Sequence, residues 1–316
     1  MHCAICGVCL YKVALALLKH KETGISTPII ERTIHVVGNR LVCLIAGDPT
    51  HTPLVLVHGW GHHPDIWRST MIVLSDHYYC VAVGVLGFGD SDKPASGDYT
   101  IAAQGRDVLA NADALGIDRF ILCGQSRGGQ IALCIATQLA PQRIIKLTDI
   151  SGVASGHIGW YLRYVLGAGI WLGAWFPASY RLLRWVYRND QIARAFYGPY
   201  FANWRQQPAG VAQRDLLRAL NDDAHRSNWL TMHSMYTTDL LPSLHQIQAP
   251  TLVLFGKQDR IVPPSEGSAA AHRIANVRLV LLDDCGHYPM LDQPAAYLAA
   301  LTTLSCRIIN SGVQDG

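Results

Sequence analysis

A mainly parallel α/β sheet, with helices on both faces and one helical cap insertion, is the fold that this sequence predicts. Three observations carry the prediction. Short apolar, often β-branched runs alternate with helix-like stretches along most of the chain. The alternation stops between about residues 155 and 240, in a stretch rich in Trp, Tyr and Arg, and it resumes at Pro250. Strand–helix alternation joins parallel strands through crossover helices, and those helices cover both sheet faces.

The first two runs, IIERTIHVV and RLVCLIAG, flank Gly38-Asn39 and predict an N-terminal hairpin. PLVLVHG, YYCVAVGV, RFILCG, RIIKLTDIS, PTLVLFG and VRLVLLD follow, each short and apolar enough to read as a strand buried on both faces. Helices are predicted around residues 65–74, 101–115, 128–140, 265–274 and 295–304. The stretch GWYLRYVLGAGIWLGAWFPASYRLLRWVY has no comparable strand and reads as a helical cap. The expected organisation is an N-terminal extension (1–26), a core (27–154 and 241–306), a cap (155–240) and a tail (307–316).

Composition narrows the function. Half of the 316 residues are apolar and 16% are charged, enough apolar material for a large core. A formal charge of +3 without any block of Lys and Arg gives no basis for nucleic-acid binding, so a neutral or amphiphilic small molecule is the expected partner. The nine cysteines argue against a disulfide scaffold, because Cys43, Cys80, Cys123 and Cys134 fall in apolar runs where a thiol packs as a small hydrophobe. Cys3, Cys6 and Cys9 form C-x-x-C-x-x-C, but no fourth ligand follows at a recognisable spacing, and no metal is expected. The opening segment lacks a basic start, and Lys12 interrupts its apolar run, which argues against a signal peptide or anchor. A cytoplasmic protein is expected, with peripheral membrane contact through this segment or the cap as its only membrane association.

The chemistry concentrates where strands end, as it does in open parallel sheets. Gly124-Gln125-Ser126-Arg127-Gly128 places one serine between glycines two residues away on each side, on a strand-to-helix bend. His58-Gly59-Trp60-Gly61 follows another strand, Asp259 follows TLVLFG, and His287 follows the last run.

Together with GFGDSDKP at 87–94, GKQDRIVPP at 256–264 and CGHYPMLDQP at 285–294, these motifs resemble the α/β-hydrolase family, over roughly residues 27–304. One departure is Val83-Gly84-Val85, where relatives often carry Pro-Asp-Leu. The resemblance implies a triad of Ser126, His287 and Asp259, no cofactor, and an oxyanion hole formed by the backbone N–H groups of Trp60 and Arg127. The residue types suit that chemistry. A serine hydroxyl needs a base, His287, to take its proton, and an imidazole needs a carboxylate, Asp259, to fix its tautomer.

Other roles compete for several of these residues. Asp259 could instead cap the helix entered at Pro263, which would leave Asp149, at the end of KLTDIS, as the acid. His58 is expected to hold the loop by hydrogen bonds. His62 and His63 are expected to be solvated, and Asp90 and Asp92 to form turns. About half of the cap aromatics Trp160, Tyr161, Tyr164, Trp171, Trp175, Phe176, Trp185 and Tyr187 are expected to line the cavity and roof the site.

The function expected is hydrolysis of carboxylic esters of apolar or aromatic substrates through an acyl-enzyme. Hydrolysis of carbon–carbon bonds in ring-cleavage products is the alternative within the fold, although the loop after the His-Gly motif reads GHHPD where those enzymes commonly show Gly-Pro-Gly. Haloalkane dehalogenases and epoxide hydrolases use an aspartate where Ser126 stands. A ligand-binding homologue without turnover is the non-enzymatic alternative.

Overall fold

The computed structural model describes residues 28–309 except 208 and 222. The N-terminal extension, with Cys3, Cys6 and Cys9, therefore lies outside the described residues, as do residues 310–316. Eight strands form one sheet in the order β1-β2-β4-β3-β5-β6-β7-β8. They are β1 (Ile30–Val36), β2 (Asn39–Ala46), β3 (Pro53–Val57), β4 (Tyr79–Val83), β5 (Phe120–Gln125), β6 (Ile144–Ile150), β7 (Thr251–Gly256) and β8 (Val277–Leu282). β2 runs antiparallel to β1 and to β4, and every other pairing is parallel.

Each parallel step is made by a helix. α1 (Arg68–Leu74) joins β3 to β4, α2 (Ile101–Ala114) joins β4 to β5, and α3 (Arg127–Cys134) joins β5 to β6. Between β6 and β7 come five cap helices: α4 (Gly167–Trp175), α5 (Ala178–Val186), α6 (Asp190–Tyr197), α7 (Val211–Ala219) and α8 (His225–Thr237). α9 (Pro264–Ala271) joins β7 to β8, and α10 (Pro289–Asp292) and α11 (Pro294–Ile309) end the described chain. The chain steps from β3 outward to β4 and then returns to β5 on the other side of β3, so the sheet switches direction between β3 and β5. Ligand sites of open α/β sheets form in the crevice at such a point, outside the carboxyl ends of the strands.

Two local expectations need correction. The hairpin turn is Val37-Gly38, because Val36 pairs with Asn39, and both turn residues have positive φ, 47° and 78°. A two-residue turn with left-handed backbone at both positions matches the twist of the flanking strands. β8 is also not buried on both faces. Leu279 and Leu281, two residues apart and so on one face, are partly exposed, because β8 is the last strand of the sheet. The central strands do fit the expectation, with β5 and β7 buried at every position.

Candidate active site

Ser126 sits between the last residue of β5 and the first of α3, with φ 55° and ψ −120°. That backbone is costly for any residue with a Cβ, and strain of this kind concentrates at functional positions. Its N–H donates to the Ile150 carbonyl at 2.8 Å, so β6 helps to hold the bend. The flanking glycines are required by close approach. A Cβ on Gly124 would overlap the Gly128 carbonyl, and one on Gly128 would overlap the Val57 carbonyl of β3.

His287 follows β8, with its N–H donating to the Tyr200 carbonyl at 2.7 Å. Its Nδ1 lies 2.8 Å from Oδ2 of Asp259, and both side chains are buried. The other oxygen of Asp259 accepts the N–H groups of Ile261 and Val262, each at 2.9 Å. Asp259 thus closes its own turn with one oxygen and holds His287 with the other. Asp149 is buried in β6 with its carboxyl against the backbone of Gly152, not against His287. Burial first, and then Glu266, push that carboxyl up to about 7.

Ser126 and His287 line a narrow pocket with Gly59, Trp60, His62, Gln125, Leu162, Tyr200, Ile261 and Tyr288. Arg127 is the first residue of α3, so its N–H has no carbonyl partner within the helix, and Trp60 lies across from it in the loop after β3. The Arg127 side chain turns away from the pocket. Fully buried, it donates to Gln104 Oε1 at 2.6 and 2.9 Å, to the Tyr99 carbonyl at 2.8 Å and to the Thr231 carbonyl at 2.5 Å. These are neutral partners, and burial lowers the guanidinium to about 9.

The histidines of the loop divide differently from the expectation. His58 is held as expected, with Nδ1 bonded to the Gly59 carbonyl at 2.9 Å and Nε2 accepting the Val85 N–H at 3.1 Å. His62 and His63 are not solvated; both are buried. His62 Nε2 lies 2.7 Å from the Tyr288 hydroxyl and 3.0 Å from that of Tyr197, and desolvation followed by the nearby His287 lowers its pKa to about 3. His63 caps the short helical turn at Pro64 and meets Asp65 and Arg218. The cause is the cap, whose α6 and α7 close over this loop and replace its water. Among the described residues no group of three His, Cys, Asp or Glu is placed to hold a metal ion.

The expected aromatic roof is also absent. Trp160, Tyr164, Trp171 and Trp175 are between about half and two-thirds exposed, and none of them lines the pocket with Ser126; Trp160 and Tyr164 line a separate hollow with Asp259 and Arg260. The cap reaches the pocket through Leu162 and Tyr200, with Tyr197 stacked behind Tyr200 at 4.7 Å between ring centres. Neither an isolated Leu nor a GPY turn carries a signal that sequence could have separated from ordinary packing. His62 follows the His-Gly motif in the same loop, and only its burial distinguishes it from an ordinary loop histidine.

A mainly parallel eight-stranded sheet, with a strained serine at the switch point and a histidine–carboxylate pair in reach of the same pocket, has the architecture of an α/β-fold hydrolase. The chain belongs to the α/β hydrolase fold family, whose profile matches residues 52–294. Among similar proteins are a pimeloyl-[acyl-carrier protein] methyl ester esterase of Nitrosomonas europaea, 24% identical over 79% of this chain and 94% of that protein, and a 2-hydroxy-6-oxo-2,4-heptadienoate hydrolase of Pseudomonas putida, 26% identical over 85% of this chain and 90% of that protein. Of solved structures, a membrane phospholipase A described as a bacterial virulence factor superposes with a TM-score of 0.75 at 23% identity, covering 96% of this chain and 93% of that one, a likeness of fold.

Proposed function

We propose that the protein is a serine hydrolase that cleaves neutral carboxylic esters with a compact apolar or aromatic acyl group, through an acyl-enzyme. The observation that carries this reading is the meeting of Ser126, on its strained bend, with His287 in one pocket, while Asp259 holds His287 from behind. Ser126 Oγ attacks the ester carbonyl as His287 takes its proton, and the backbone N–H groups of Trp60 and Arg127 receive the developing oxyanion. His287 then returns the proton to the leaving alcohol, and a water attacks the acyl-enzyme by the same route. Asp259 keeps the Nδ1 proton of His287 in place and stabilises the imidazolium during both steps.

The pocket favours an ester over a ring-cleavage dienoate. None of its lining residues is Lys or Arg, and His62 is held neutral, so nothing in the wall offers a cation to the acid group of a dienoate. The relative acting on a heptadienoate keeps the carbon–carbon reaction as the competing one. The test is turnover of a series of chromogenic esters beside a dienoic carbon–carbon substrate, with an organophosphonate adduct mapped by mass spectrometry. Ester turnover abolished by Ser126→Ala, with the adduct on Ser126, supports the reading. Faster cleavage of the dienoate, or an adduct on another residue, overturns it.

A further inference from the structure

The cap carries an apolar surface that the pocket does not use. The α4 sequence GAGIWLGAW has no polar side chain at all. Its inner stripe, Ile170 and Gly173, is buried, and a Cβ on Gly173 would overlap the Tyr180 ring of α5. The opposite stripe, Trp171, Leu172, Trp175 and Phe176, faces solvent, with Trp175 68% and Phe176 62% exposed. These four stand at positions i, i+1, i+4 and i+5, which is one side of a helix. α5 adds Leu182 and Trp185, 61% and 67% exposed. A helix that is apolar all round belongs in a core or at a lipid boundary, and contiguous exposed aromatic surface marks an interaction site.

Charge identifies the occupant. From residue 156 to residue 189 there are four arginines and neither Asp nor Glu. Arg181, Arg184 and Arg188 line a hollow with Trp185, beside the exposed stripe. Arginine with Trp, Phe and Leu on a short helical face is the composition of a surface that lies in the headgroup and upper acyl region of an anionic bilayer. A second copy of the chain fits poorly. A two-fold contact would set this arginine cluster against itself, with no carboxylate in the segment to neutralise it. No helix among the described residues is long and apolar enough to cross a membrane.

We propose that α4 and α5 form a docking surface for an anionic phospholipid bilayer, with Trp171, Trp175, Phe176 and Trp185 entering the headgroup boundary and Arg181 and Arg188 pairing with lipid phosphate. The surface lies close to the pocket in the chain. Trp160 and Tyr164 flank Leu162, whose side chain lines the pocket beside Ser126. The inference is independent of the bond the enzyme breaks.

The experiment is flotation of the full chain with vesicles of phosphatidylcholine alone and of phosphatidylcholine mixed with phosphatidylglycerol, at low and high salt. Binding to the mixed vesicles that falls at least about tenfold without the anionic lipid or at high salt is expected. Trp175→Ser with Phe176→Ser, and separately Arg181→Glu with Arg188→Glu, should each lower binding about tenfold or more while circular dichroism and thermal unfolding stay unchanged. No binding by the native chain overturns the proposal. So does undiminished binding by folded variants, which would move the contact elsewhere, for example to the N-terminal segment. So does a dimer in sedimentation velocity that the Trp175→Ser change dissociates without any vesicle binding.

Discussion

Trp60 and Arg127 are tied to each other through one turn of α8: the Trp60 indole donates to Thr231 Oγ1 at 3.1 Å, and the Arg127 guanidinium to the Thr231 carbonyl at 2.5 Å. These are the two residues whose N–H groups the proposed mechanism aims at the oxyanion. A helix that lies in the inserted part of the chain therefore braces both loops of the proposed oxyanion hole. Trp60 also packs edge-to-face on Phe88, so its loop is held on two sides.

The brace predicts a turnover effect from a residue that never meets substrate. Thr231→Val keeps the shape and the carbonyl but removes the hydroxyl, leaving the Trp60 indole only the Asn228 carbonyl at 3.1 Å. A lost neutral hydrogen bond is about 1 kcal/mol, so kcat should fall roughly three- to tenfold with KM little changed. Steady-state kinetics on one ester measures it. A fall in KM alone, or no change at all, would place the oxyanion donors elsewhere.

Asp259→Asn and Asp149→Asn should separate cleanly. The first keeps the shape of the group at 2.8 Å from His287 Nδ1 but favours the wrong imidazole tautomer, and kcat should drop by up to about 10⁴. The second touches Gly152 and no catalytic group, so kcat should hold. The reverse ranking would move the acid to β6.

Much of this site was legible because its residues fall at strand ends, where one-dimensional order maps onto three-dimensional convergence. The triad candidates, the oxyanion loops and all eight strands follow from short apolar runs and the residues that end them. What stayed hidden depends on the path of the cap. Whether Trp171 faces Ser126 or solvent is a rotation of α4 set by where Gly173 can approach Tyr180, and periodicity is silent when every position of a helix is apolar. His62 was likewise unreadable, since α6 and α7 arrive over its loop from well over a hundred residues further along.

Burial of these histidines makes acid sensitivity predictable. His58 and His62 are both lowered to about 3, chiefly by desolvation, from an ordinary value near 6.5. Their contribution to stability is complete above about pH 6.5 and is lost as pH falls toward about 3, at up to about 1.4 kcal/mol per pH unit for each. Asp149 acts in the opposite sense. Raised to about 7, it favours the folded state below about pH 4 and loses that contribution as pH rises to about 7, again at up to about 1.4 kcal/mol per unit. His63, also lowered to about 3 by burial, adds a third loss, and Asp107, raised to about 6 by burial, adds a second gain. Three losses outweigh two gains, so net stability should fall on acidification from pH 6 to pH 5. Urea unfolding across that range measures the slope. His62→Gln should flatten it and Asp149→Asn should steepen it; matching slopes in all three proteins would mean that neither group titrates as its burial requires.

Arg127→Met should cost stability more than activity on folded protein. The guanidinium satisfies Gln104, Tyr99 and Thr231 at once, and its removal leaves buried acceptors without partners, about 1–3 kcal/mol for each that water cannot reach. The backbone N–H at this position survives the change. Denaturant midpoint and residual kcat, taken on the same sample, distinguish a brace from a reacting group.

Substrate selectivity should reside in Leu162, Tyr200 and Ile261 and not in the outer tryptophans. Those three side chains, with Trp60 and Tyr288, make the apolar wall that faces Ser126 and His287 across a narrow pocket. A pocket that narrow favours short acyl groups, and each methylene it admits contributes up to about 0.8 kcal/mol, roughly fourfold in kcat/KM, until the wall is reached. Leu162→Ala moves the wall back and should shift the preferred ester to a chain longer by one or more carbons, at some cost in cap stability. Trp171→Ala, on the far side of α4, should leave the profile where it was. Initial rates on a homologous series of esters, for the native chain and both variants, decide between them. A shifted optimum in Trp171→Ala with none in Leu162→Ala would mean that the cap rotates before substrate binds, bringing its outer aromatic face over the serine after all.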